Sequence, residues 1–154
     1  MGFRIFDAKD YRKRLKDKYF WVSLIGINLS EANLEEANLE KGNLRLANLE
    51  KANLTNANLK EVILEGANLR GVDSRKANFY GARLGGSNLK GSNLEKANLR
   101  NASLIYSNLE LANLGGADLR GANLGGAYLQ GANLEGVIIS DNNGNDYLLN
   151  TKNL

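Results

Sequence analysis

No side chain in this sequence can serve as a thiol nucleophile, a disulfide partner or an imidazole base, because Cys and His are both absent. The same absence removes the commonest transition-metal ligands, so no catalytic, cofactor-binding or metal site is expected and the chain reads as a non-enzyme. What is left is binding chemistry. Lys60, Tyr80, Arg100 and Arg120 recur at intervals of twenty residues; stacked one above another they would set like charges side by side and so point to an anionic partner. Ile25, Leu46, Ile63, Ile105 and Tyr106 place large apolar groups where polar residues or Gly are otherwise the rule. Ser74 puts a hydroxyl in a Leu register. It can be read as a buried group with a task or as a packing adjustment, and packing is the better account because Phe79, Val62 and Val72 add volume nearby.

The element that must position these residues is a five-residue repeat. Leu or a substitute returns every fifth residue from Leu24 through Leu29 and Leu34 to Leu134 and Ile139, without a slip of register. A period of five fits neither a helix nor a flat strand, so each unit must be part extended and part turned. In an extended triplet such as Ala32, Asn33 and Leu34, side chains alternate in, out, in. Ala and Leu therefore face a core and Asn faces out. The next two residues form a corner, and they are polar or Gly: Glu35 and Glu36, Glu40 and Lys41, later Gly85 and Gly86, Gly115 and Gly116, Gly125 and Gly126. From Gly66 onward Gly takes most second corner positions, and this predicts type II turns there and a different turn in the earlier, charged corners. Outward Asn is expected to bond the backbone at the corner.

The tandem A-N-L-x-x unit, over about four fifths of the chain, resembles the pentapeptide repeat family. The resemblance implies an all-β fold, a right-handed quadrilateral β-helix with four repeats per coil and with Leu and the small residue inside. Charges give an independent check on the coil length. Between residues 22 and 141, pairs twenty apart comprise seven of opposite sign and three of like sign; at fifteen the counts are three and six, at twenty-five five and six. Only a twenty-residue coil stacks charges favourably. About six coils follow, 22–41, 42–61, 62–81, 82–101, 102–121 and 122–141.

Three segments result: 1–21, 22–141 and 142–154. In the first, Asp7 can cap a helix whose stripe is Ala8, Tyr11, Leu15 and Tyr19, with Lys9, Arg12, Lys13 and Lys16 off the stripe. A basic helix suits an anionic surface, but a cap over the open bottom coil is the stronger reading, since solenoid ends need covering. In the last, a turn-rich stretch from Asp141 to Asp146 precedes Tyr147, Leu148 and Leu149, expected to return as a short strand that covers the top or pairs with a second copy as a homodimer.

The net charge of +3 belongs to residues 1–20, which carry +4, while residues 21–154 carry −1. Nothing resembles a signal peptide or approaches a membrane-spanning length, so a cytoplasmic location without membrane contact is expected. Pentapeptide repeat proteins resembling this one include bacterial mimics of duplex DNA that protect gyrase, and many cyanobacterial members whose role is not established. Mimicry needs a strongly acidic surface, which this column lacks. A non-catalytic scaffold for an unidentified protein partner is therefore the leading reading, a gyrase-binding DNA mimic the alternative, and nucleic acid a weak one.

Overall fold

The computed structural model describes residues 24–140 and 143–148. The proposed N-terminal capping helix lies outside them. Parallel bridges join each outward residue to the one twenty positions later, from Asn28 with Asn48 through Asn78 with Asn98 to Asp118 with Ile138. Each coil therefore takes four repeats and twenty residues, as the charge pairs require.

Every backbone N–H of a standard repeat finds an acceptor. The inward Leu donates to the outward residue of the next coil (Leu34 to the Asn53 carbonyl, 2.7 Å), and the outward Asn donates back (Asn53 to the Ala32 carbonyl, 2.9 Å). The second corner residue donates to the first corner residue above it (Glu31 to Glu50, 2.8 Å), and the corner closes when the next small residue donates to the Leu (Ala32 to Leu29, 3.1 Å). One amide remains, that of the first corner residue. It donates to the Asn side chain two positions earlier, as Glu35 does to Asn33 Oδ1 at 3.2 Å and Thr55 to Asn53 Oδ1 at 3.0 Å. The outward Asn is thus a backbone acceptor built into each repeat, and its Nδ2 donates to the Asn one coil below, for example Asn98 to Asn78 Oδ1 at 3.0 Å.

The corners do not change type along the column. Glu31, Glu36, Lys41, Leu46, Tyr106 and Leu111 hold φ between 56° and 59°, close to the 66° of Gly66. Every second corner residue thus has the positive φ of a type II turn, against the expectation that charged corners would turn differently. From Leu46 upward ladder bonds on both sides fix this conformation, as where Leu46 donates to the Glu65 carbonyl and the Arg45 carbonyl accepts from Gly26, and they outweigh the roughly 1–2 kcal/mol that a left-handed non-Gly residue costs.

Inside, Leu34, Leu54, Leu99 and Leu114 are fully buried among alternating layers of Ala, and Phe79 is the largest fully enclosed side chain. Ser74 is also fully buried, and its Oγ has no hydrogen-bond partner among the described residues. Five of the seven opposite-charge stacks are ion pairs: Lys41–Glu61, Arg45–Glu65, Lys60–Glu40, Arg70–Glu50 and Lys90–Glu110. Arg75 turns instead to Asp73 at 2.7 Å.

The column ends where the chain reverses. β1 (Ile138–Ser140) pairs on one edge with coil five, through Asp118, and on the other with antiparallel β2 (Asp146–Leu148), Ile139 facing Tyr147. This hairpin covers one side of the last coil. On the other three sides Leu124, Leu129 and Leu134 remain half-buried, whereas the equivalent Leu104, Leu109 and Leu114 one coil below are fully enclosed.

Candidate functional site

The two outward clusters singled out in the sequence have different fates. The column Lys60, Tyr80, Arg100 and Arg120 is less basic than its sequence. Lys60 lies 3.8 Å from Glu40 and 3.7 Å from Glu61. Tyr80 accepts a hydrogen bond from Asn101 Nδ2 at 3.1 Å. Arg120 is held by two carboxylates, Asp118 at 2.6 Å and Asp146 at 2.7 Å. Arg100 alone of the three cations makes no ion pair among the described residues.

Arg120 ties β2 to the column. Its guanidinium, and then the Ser140 hydroxyl, hold the Asp146 carboxyl below its ordinary 3.8, and the Arg120 side chain does the same for Asp118. A depressed folded pKa means that the contribution is present above the unfolded value and is lost as the pH falls through the folded one. Protection of Tyr147 from hydrogen exchange, relative to the unstructured chain, is therefore expected to fall as the pH drops below 3.8, and Asp146→Asn should show that lower protection already at neutral pH. Exchange unchanged in the variant would mean that the strand pairing alone holds β2.

The apolar cluster does assemble on one side, the one made by residues 24–26, 42–46, 62–66, 82–86, 102–106 and 122–126. Leu46 is 66% and Tyr106 70% exposed; Ile25 is exposed as well, while Ile63 and Ile105 are half-buried. Leu46 and Tyr106 occupy the same corner three coils apart. Leu46 leans over Gly66, where a Cβ would stand 2.9 Å from its Cδ2, and the Tyr106 ring lies over Gly126. Between them Gly86, at φ 64°, has nothing within 4 Å of where a Cβ would be. A notch about one coil high, roughly 4.8 Å, opens there between Leu46 and Tyr106.

This side also lacks the Asn ladder. Its outward column reads Asn43, Ile63, Arg83, Ser103 and Asn123. Arg83 is exposed and reaches Glu65 at 2.6 Å, whose other oxygen holds Arg45 at 3.2 Å. Sequence reasoning found the large apolar residues and missed Arg83, Ser103 and the Gly86 notch, although the break in the Asn column was the signal that could have found them. It also missed exposed Leu111 and Tyr128 on the neighbouring side, and Tyr128 likewise interrupts a run of Asn.

Among the described residues no group of His, Cys, Asp or Glu could hold a metal ion, and no helix is long and apolar enough to cross a membrane. The fold is that of a four-sided β-helix with five residues to a side. The family profile for pentapeptide repeats matches in eight copies, over residues 27–66, 63–95, 77–116 and 97–136. The chain belongs to the pentapeptide repeat family, whose right-handed quadrilateral β-helix is the architecture these coils trace.

Among solved structures it is similar to HetL, a pentapeptide repeat protein involved in heterocyst differentiation regulation from the cyanobacterium Nostoc sp. strain PCC 7120. The identity is 36% over 83% of this chain and 65% of that one, with a TM-score of 0.33. It is 39% identical to Rfr23, from the cyanobacterium Cyanothece 51142, over 63% of this chain and 59% of that one, TM-score 0.26. Similarity to QnrB1, a plasmid-mediated fluoroquinolone resistance protein, is 18% identity over 89% of both chains, TM-score 0.41. The chain thus spans less than two thirds of the length of the two cyanobacterial relatives. No curated protein matches it.

Proposed function

We propose that the protein is a non-catalytic scaffold that binds a protein partner on the side bearing Leu46, Ile63, Ile105 and Tyr106. The observation that carries this reading is the concurrence, on one side, of exposed apolar groups, an open notch at Gly86 and a broken Asn ladder. Where structure alone governs a side, Asn supports the backbone and charges or Gly fill the corners. Here both rules lapse together, at a cost in backbone support that a solitary column has no reason to bear.

The test is a pull-down from the source cell with purified full chain. Replacing Ile63 and Ile105 by Thr and Tyr106 by Asn, or filling the notch with Gly86→Asn, is expected to abolish capture of the partner and leave the melt within about 1 kcal/mol of the parent, because Asn tolerates the left-handed corners at 86 and 106. Capture unaffected by both would remove this side from the interface.

A second surface is the C-terminal end, where half-buried Leu124, Leu129 and Leu134 favour pairing with a second copy as a homodimer. The alternative of a DNA mimic acting on gyrase is opposed by charge. Residues 24–140 hold twelve Lys or Arg and twelve Asp or Glu, many of them paired across coils, so no polyanionic field develops. The protein is expected to leave gyrase supercoiling unchanged at micromolar concentration; inhibition, or rescue from a quinolone, would install the mimic instead. A cytoplasmic location fits either reading.

A further inference from the structure

The broken Asn ladder has a chemical consequence. On the other sides the first corner N–H is accepted by an Asn or Asp side chain, as Glu50 by Asn48, Glu95 by Asn93 and Arg120 by Asp118, except at Gln130, which follows Tyr128 in the topmost coil. On the first side Asn43 accepts from Arg45 and Asn123 from Gly125. The three coils between them carry Ile63, Arg83 and Ser103. The first two side chains have no acceptor atom, and the Ser103 hydroxyl makes no hydrogen bond, so the N–H groups of Glu65, Gly85 and Ile105 have no acceptor among the described residues. They form a stack about 4.8 Å apart, directed outward at the places where Asn Oδ1 sits elsewhere.

We propose that the upper two donors, Gly85 and Ile105, bind a carboxylate of an acidic segment of the protein partner. Two N–H groups at that spacing can each reach one oxygen of a carboxylate at ordinary hydrogen-bond length, with about 2.9 Å on either side. Gly85 has no side chain to screen the approach; a Cβ there would meet only the Ile105 carbonyl, at 3.7 Å. Arg83 stands in the same coil and adds charge to the contact. Glu65 is the one anion on this side, and it lies between Arg45 and Arg83, so the side retains one positive charge. That places the incoming carboxylate at the upper pair rather than at the Glu65 amide. Ile63, Ile105 and Tyr106 around the donors select a segment in which the acid is flanked by apolar residues.

The inference rests on the partner reading above and deepens it, and its test needs no partner in hand. The probe is an acetylated, amidated pentapeptide of alternating leucine and glutamate, titrated into the full chain labelled with nitrogen-15; the matched leucine and glutamine peptide is the control. The acidic peptide is expected to move the amide resonances of Gly85 and Ile105 downfield and to bind at least tenfold more tightly than its neutral control. Ser103→Asn supplies the Ile105 amide with an internal acceptor without changing any charge. It is expected to weaken the peptide at least tenfold and to raise the melting temperature, an effect that mere disturbance of the side would not give.

Equal binding of the two peptides, unmoved Gly85 and Ile105 amides, or a Ser103→Asn variant that binds as tightly as the parent would each overturn the carboxylate site. A partner captured through Leu46 and Tyr106 with unchanged affinity in Ser103→Asn would leave the scaffold reading standing and this inference refuted.

Discussion

Leu99→Asp is expected to abolish the cooperative melt of the column. Leu99 is fully buried, in line with Phe79 one coil below and Leu119 one coil above, and its amide is already committed to the Asp118 carbonyl at 2.8 Å. The variant loses about 1.5–3 kcal/mol of side-chain burial and sets an unpaired carboxylate among leucines at a further several kcal/mol, together comparable with the whole stability of an ordinary domain, about 5–15 kcal/mol. The control is its neighbour. Asn98 accepts from the Arg100 amide through Oδ1 and donates to Asn78 through Nδ2, so Asn98→Asp keeps the first bond and gives up the second, a cost of about 0.5–1.5 kcal/mol. Asp73 and Asp118 already occupy such sites and accept from Arg75 and Arg120. Circular dichroism melts of the two variants decide the matter, and equal losses would refute the assignment of Leu inward and Asn outward.

The sequence made the coil legible because its signals were redundant. Spacing set the five-residue unit, alternation set which residues face inward, and charges such as Lys41 with Glu61 and Lys90 with Glu110 set the coil at twenty. Corner conformation was not legible in the same way. Propensity assigns Leu46, Lys51 and Tyr106 to negative φ, but each is clamped between coils by its own N–H and the carbonyl beside it, and a local preference of about a kilocalorie yields to two ladder bonds. The link from Arg120 to Asp146 was hidden for another reason. It depends on the chain folding back after Ser140, and no period extends past that reversal.

The candidate site was half legible. Ile63 and Tyr106 are conspicuous because apolar residues are rare outside. Arg83 and Ser103 are unremarkable as residue types, and their meaning lies in what they fail to do for Gly85 and Ile105. That failure becomes visible only once every N–H of a repeat has been traced to its acceptor and the Asn side chain found to serve the fifth.

Ser74 with Phe79 provides the sharpest test of how the interior is filled. The two face inward from adjacent sides of one coil, and Ser74 stands between Leu54 and Leu94, so a Leu in its place would make the ladder continuous. If the Phe79 ring occupies the volume that Ser74 gives up, Ser74→Leu alone overfills the coil and costs about 1–3 kcal/mol. Phe79→Leu alone leaves a void and costs a similar amount, about 1–3 kcal/mol, by the lost contacts and the cavity. Made together the two changes compensate, so the double variant should be more stable than the sum of the singles predicts by at least about 1 kcal/mol, and close to the parent. It also removes the Oγ that has no partner, a gain the parent cannot have. Urea melts of the four proteins measure the coupling. Additive losses would show that Ser74 and Phe79 are filled and emptied independently, and the hydroxyl would then need a reason for its place other than packing.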